Sequence, residues 1–150
     1  MTEDIEFEND DIDPADLIEQ AAAALEAGDK EEAAKAYNTA GNIYMSVAEF
    51  EEAHHCFEES QRIYRDIKDE TGSSDTMYNL GVACINLERW DDAIASLEGA
   101  MKLFDKGNNK SGSADAIYGL ALATLGKGNF DQAMEYFKQA QKSYKSLDNT

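Results

Sequence analysis

His54-His55-Cys56 is the one string in this chain whose residue types suggest metal chemistry, because imidazole and thiolate are transition-metal ligands. Neighbouring residues on a helix diverge by about 100°, so an ion on one helix needs ligands three or four residues apart. At that spacing Glu51 or Glu58 can join one histidine, which gives two ligands at most. The expected arrangement is a surface histidine pair beside a partly buried cysteine, without metal. Gly126-Lys127-Gly128-Asn129 has the composition of a phosphate loop but not its spacing, and it reads as a turn between helices. No nucleophile–base constellation or convergent carboxylate pair is present. The chain is therefore expected to have no catalytic residue and no cofactor.

The dominant pattern is a repeat. Shifted by 40 residues, Phe50-Glu51-Glu52-Ala53-His54-His55-Cys56-Phe57 falls on Trp90-Asp91-Asp92-Ala93-Ile94-Ala95-Ser96-Leu97 and on Phe130-Asp131-Gln132-Ala133-Met134-Glu135-Tyr136-Phe137. Upstream, Tyr37, Met77 and Ile117 align, then Ala40, Leu80 and Leu120, then Gly41, Gly81 and Ala121, then Tyr44, Cys84 and Thr124. Downstream, Ser60, Ala100 and Ala140 align, as do Tyr64, Phe104 and Tyr144. Within a unit the spacings of three, four and seven trace one apolar helical face. The small residues recur where two helices must cross at about 8 Å. Each unit reads as helix, tight turn, helix, and a fixed period of this length marks units stacked into a solenoid.

The series of large apolar, small, aromatic, turn, Ala, aromatic and small residue resembles the tetratricopeptide repeat, over roughly residues 34–147. The period departs from the usual repeat of about 34 residues. Six further residues sit between the pairs, within Asp66–Asp75 and Asp105–Asp115. In this the chain is similar to the repeats of cell-polarity adaptors and kinesin light chains. HEAT and armadillo repeats have a comparable period but do not predict the small–aromatic–Ala–aromatic series. Gly107-Asn108-Asn109-Lys110-Ser111-Gly112 reads as a loop, whereas Asp66–Glu70 can stay helical.

Asp13-Pro14 is a helix start, the run Ala15–Ala27 follows, and Gly28-Asp29 ends it. The expected fold is all-α, an α-solenoid of about seven helices: 14–27, 31–47, 50–67, 74–87, 90–105, 113–126 and 130–147. Residues 1–13 form an acidic arm, and residues 14–150 form a single domain with repeats at about 31–67, 74–105 and 113–147. The arm is expected to be disordered. The alternative is that Ile5 and Phe7 lay an extended segment into the protein's own groove.

In tetratricopeptide stacks the first helices of the pairs line a concave groove. The resemblance implies a peptide-binding wall of Lys35, Asn38, Asn42 and Met45 in the first unit, and of Asp75, Tyr78, Asn79 and Val82 in the second. Asp115, Tyr118 and Leu122 complete it in the third, flanked by Ile85, Gly119 and Leu125. Tyrosine joins apolar area to a hydroxyl at low entropic cost, which suits recognition. Chaperone adaptors of this family grip a terminal carboxylate with two Lys, two Asn and an Arg. Here Asn42 and Asn79 match, but the cationic positions hold Asn38, Asp115 and Gly119, so no such clamp is expected. The groove should prefer an apolar or basic segment.

Net charge narrows the partners further. The chain carries 31 acids against 13 bases, for a net charge of −18. Seven of the acids lie in the first 13 residues. A phosphate backbone or an anionic membrane surface needs clustered Lys and Arg, so neither nucleic acid nor membrane is expected. No signal segment or 18-residue apolar stretch is evident, and two cysteines on different helices suit a reducing compartment, so cytoplasm is expected. The leading function is a non-catalytic protein-interaction scaffold. A homodimer through the C-terminal helix, where Tyr144 and Leu147 have no successor to cover them, is the second. A small acidic chaperone holding an apolar client, in the manner of bacterial translocator chaperones, is the third.

Overall fold

A computed structural model describes residues 12–148. Apart from its last two residues, the acidic arm, with Ile5 and Phe7, lies outside them. Seven helices follow one another: α1 (Pro14–Glu26), α2 (Lys30–Ser46), α3 (Phe50–Asp66), α4 (Glu70–Asn86), α5 (Trp90–Lys106), α6 (Lys110–Lys127) and α7 (Phe130–Asp148). The described residues contain no strand. The expected all-α stack is the observed one.

From α2 onward a helix starts every 20 residues, and one kind of link explains the regularity. The residues at 28, 48, 68, 88, 108 and 128 all adopt positive φ, between 55° and 90°. The residue after each donates its N–H to the carbonyl five positions back, as Asp29 does to Ala24 at 2.8 Å and Asn129 to Thr124 at 2.9 Å. This double closure satisfies helix-end carbonyls and reverses the chain. The same closing residue then caps the next helix. Asp13 accepts from the Ala15 N–H, and Asp29, Asp69 and Asn109 accept from the N–H groups of Glu32, Gly72 and Gly112. Glu49 and Arg89, which lead into α3 and α5, make no such side-chain bond.

Two sequence expectations require correction. α4 begins at Glu70 rather than 74, and α6 at Lys110 rather than 113. The stretch 107–112 is not a loop beyond Asn109, and Asp66–Glu70 does not stay helical, because a turn occupies 67–69. The six extra residues per repeat are shared out as longer helices. The physical reason is packing. Gly112 lies flat against the Phe104 ring, where an added Cβ would come within 2.6 Å of it, and Gly72 does the same for Tyr64. These glycines serve close approach one turn inside a helix, which local propensity alone reads as a break.

The helices form two layers. α2 touches α4 and α4 touches α6, whereas α3, α5 and α7 do not meet one another. The wall is therefore tighter on the α2–α4–α6 side, which is the concave one. Ala53, Ala93 and Ala133 are all buried. Ala53 packs with Phe57 and Ala83, and Ala93 packs with Cys84 and Ala123, one repeat further on. The residue Leu97 spans both contacts of its helix, lying against Gly81 of α4 and Gly119 of α6.

Two substitutions test this account. Leu97→Ala should cost about 2–5 kcal/mol, because it opens a cavity between three helices. Ala48→Gly should instead stabilise by up to about 1 kcal/mol, since Ala48 sits at φ 61°, where a Cβ is strained. Urea midpoints of the two variants against the parent chain should move in opposite directions.

Candidate functional site

The concave wall is built from the exposed sides of α2, α4 and α6. Each helix there turns its small residue outward, toward α3, α5 or α7, so the residues one turn away face the hollow. On α2 these are Lys35 and Asn42, both exposed, with Asn38 and Met45 half-buried. On α4 Asp75 is exposed, while Tyr78, Asn79 and Val82 are half-buried. On α6 Tyr118 is 45% exposed, with Asp115 and Leu122 half-buried. Ile85 is half-buried and Leu125 is exposed, so neither is core. Gly119 does not face the hollow, because it is buried against Leu97.

Side chains bond across the wall. Asn79 Nδ2 donates to Asn38 Oδ1 at 3.1 Å, joining α4 to α2. The Tyr144 hydroxyl donates to Asp115 Oδ1 at 2.5 Å, joining α7 to α6. Tyr78 senses the same carboxylate: burial first, then Asp115, raises its pKa. Tyr118 meets Phe137 of α7 edge-on, with ring centroids 6.0 Å apart. Tyr144 is half-buried, and α6 supplies its partner. The contacts of Tyr144 and Phe137 with Asp115 and Tyr118 were not legible in the sequence, because their aligned partners, Tyr64, Phe104, Phe57 and Leu97, are core.

The wall is polar and acidic in balance. Lys35 is paired with Glu31 at 3.2 Å, one turn earlier, and that contact raises its pKa. Although Asp75 is exposed as a residue, partial desolvation of its carboxyl, and then Asp69, push its pKa up. Asn38 (bonded to Asn79), Asp115 and the buried Gly119 place no cation at the three positions where a carboxylate clamp of this family has one.

His54 pairs with Glu58 at 2.7 Å, His55 is exposed, and the two do not converge. Among the described residues no three His, Cys, Asp or Glu side chains come together as a metal site. Cys56 and Cys84 are free and buried, and burial pushes each thiol up to about 11, where a thiolate nucleophile is not available near neutral pH. No described helix is long and apolar enough to cross a membrane.

Comparison with known proteins agrees with this geometry. Residues 34–67 and 73–146 each match a model described as a tetratricopeptide repeat. No match was found among curated proteins. Among solved structures, the TPR domain of Arabidopsis FLU superposes with a TM-score of 0.74 at 16% identity, covering 78% of this chain and 98% of that one. BtubC (BKLC) from P. vanneervenii gives 0.78 at 17% identity, covering 91% of this chain and 57% of that one. The apo form of RapI gives 0.70 at 16% identity, covering 97% and 60%. At these identities the likeness concerns the fold.

The Tyr144–Asp115 bond can be tested by pH. Burial and the hydrogen bond to Asp115 both favour the neutral phenol and raise its pKa well above the usual value. An unfolded tyrosine ionises near pH 10. The associated stability is thus intact below about pH 10 and is lost as pH rises beyond it. Tyr144→Phe should lower stability near neutral pH by about 1 kcal/mol. It should also flatten the alkaline decline, as urea midpoints measured up to about pH 11 would show.

Proposed function

Because the chain belongs to the tetratricopeptide repeat family, whose stacks are in general non-catalytic protein-interaction modules, we propose that its concave wall binds a partner segment rich in apolar and basic side chains. The observation that carries this reading is the cross-bonded wall itself. Asn38–Asn79 and Asp115–Tyr144 fix side chains on four helices before any partner arrives. Such fixation reduces the ordering cost of binding. Between them Tyr78, Val82, Tyr118 and Leu122 offer partly exposed apolar area. Asp75 and Asp115 supply negative charge, and Lys35 is neutralised by Glu31. An incoming lysine or arginine finds carboxylates, and an incoming glutamate finds only repulsion.

A second reading, self-association through the C-terminal end, is favoured by α7. Phe130 aligns with Trp90, which packs against Gly126 of the following helix, yet Phe130 is 69% exposed and Met134 56%. A second copy would cover them. The buried free cysteines support placement in a reducing compartment such as the cytoplasm.

Peptide titration separates these. A peptide with alternating apolar and lysine residues should bind at least about tenfold more tightly than its glutamate counterpart, and added salt should narrow the gap. Tyr78→Ala and Tyr118→Ala should each weaken binding by about fivefold or more, the usual effect of removing an aromatic anchor. Tighter binding of the acidic peptide would overturn the proposal. Sedimentation of Phe130→Asp beside the parent chain checks the second reading, which predicts a concentration-dependent dimer only in the parent.

A further inference from the structure

The outer helices do not meet, and between α3 and α5 their separation leaves a cleft on the convex face, floored by α4. Its volume is about 510 Å³, within the range of ligand sites. Met77, Leu103 and Gly99 give it an apolar floor and wall. Gln61 opens into it from α3 and is only 6% exposed. The Gln61 Oε1 atom has no hydrogen-bond partner. An amide left in that state costs roughly 1–3 kcal/mol, unless something that enters the cleft brings a donor.

The rim is cationic in a chain whose net charge is −18. Arg65, Lys68 and Lys102 stand around the opening, and none of them is in an ion pair among the described residues. The nearby acids are already engaged. Glu70 is held by Lys106 at 2.6 Å, and the Asp69 carboxylate caps α4 through the Gly72 N–H at 2.9 Å. An anion approaching the opening therefore meets a positive rim.

A ligand for this cleft needs carboxylates for the rim, apolar groups for the floor and an N–H for Gln61. A peptide strand has all three, since its side chains alternate between two sides and its backbone carries donors. Residues 4–8 of this chain, Asp-Ile-Glu-Phe-Glu, alternate carboxylates with apolar side chains in that way. We propose that the convex cleft is a second binding site, separate from the concave wall, and that its occupant is the Asp4–Glu8 segment of this same protein. Carboxylates of the segment pair with Arg65, Lys68 and Lys102, while Ile5 or Phe7 enters over Met77 and Leu103. A backbone N–H of the segment meets the Gln61 amide.

The experiment is limited proteolysis of the full chain with a glutamate-specific protease, read at Glu6 and Glu8 and referred to a free synthetic peptide of residues 2–9. The segment in the intact protein should be cut at least about tenfold more slowly than the free peptide. Raising salt from about 0.05 to 0.5 M should narrow that difference, because rim pairs are screened. The R65E/K68E/K102E variant, checked for unchanged helicity, should be cut at nearly the peptide's rate. Gln61→Met, which keeps the length of the side chain but removes the acceptor for the segment's N–H, should speed cleavage. A merely structural glutamine would not affect cleavage. Protection that persists on dilution places the segment in its own chain's cleft, and protection lost on dilution places it in a neighbour's. Cleavage in the parent chain as fast as in the free peptide, or equally slow in the charge-reversed variant, overturns the proposal. Neither result bears on the concave wall, whose peptide titration is read separately.

Discussion

At helix crossings throughout this stack a large side chain lies flat against bare backbone: Phe57 on Gly41, Leu97 on Gly81, Phe104 on Gly112 and Trp90 on Gly126. An added methyl at any of these glycines would come within 2.5 to 2.6 Å of a neighbouring carbon. No rotamer change relieves such a clash when the ring or isobutyl group is itself enclosed. The crossing distance is thus set by the pairing of a bulky group with an absent one. Everything else in the architecture follows from that distance, because helices held this close bury a continuous core with few large residues. Many of the buried residues are alanines, such as Ala33, Ala34, Ala40, Ala93, Ala100 and Ala123. Small residues supply little apolar area each, but the close approach that they permit lets many dispersion contacts form near their optimal separation.

The links impose the second regularity. Each closes one helix and starts the next within three residues, so no segment is left over to vary in length. The additional residues relative to the common repeat of about 34 can then be accommodated only inside the helices. Inner helices of 17 or 18 residues are about 26 Å long, which deepens the concave wall without adding a repeat. The cost appears at Ala48, Lys68 and Glu88, which hold positive φ without being glycine. Cooperative closure of both hydrogen bonds at each link offsets that strain.

Much of this was legible in the sequence. The 40-residue period, the apolar stripe and the recurring Ala53, Ala93 and Ala133 fixed fold class, helix number and the identity of the inner layer, because each depends on spacing alone. Helix starts at Glu70 and Lys110 were not legible. There glycine serves a packing contact with Tyr64 or Phe104, and a contact between residues on different helices leaves no local trace. The bonds of the residues expected on the concave wall, Asn38 to Asn79 and Asp115 to Tyr144, were not legible. Whether Asp115 is free or held depends on Tyr144 reaching across from α7, and that depends on α7 ending the described stack. The convex cleft was invisible for a related reason: it arises from the divergence of α3 and α5, a property of curvature that no single repeat encodes.

Repetition creates a hazard that the surface charges address. Hairpins with the same apolar pattern can pair with the wrong neighbour, since the core contacts are nearly interchangeable. In the first hairpin Lys30 at the start of α2 bonds Asp66 at the end of α3, at 2.6 Å. In the second hairpin the equivalent positions are reversed in sign, with Glu70 at the start of α4 bonding Lys106 at the end of α5, also at 2.6 Å. Mispairing α2 with α5 would oppose Lys30 to Lys106, and mispairing α4 with α3 would oppose Glu70 to Asp66. Each exposed pair contributes only about 0.2–1 kcal/mol, and a like-charge contact costs a similar amount. The two mispairings replace two attractions with two repulsions, so the discrimination is several times the value of one bridge. Exposed ion pairs that add little to the stability of the native stack therefore contribute most by setting its register.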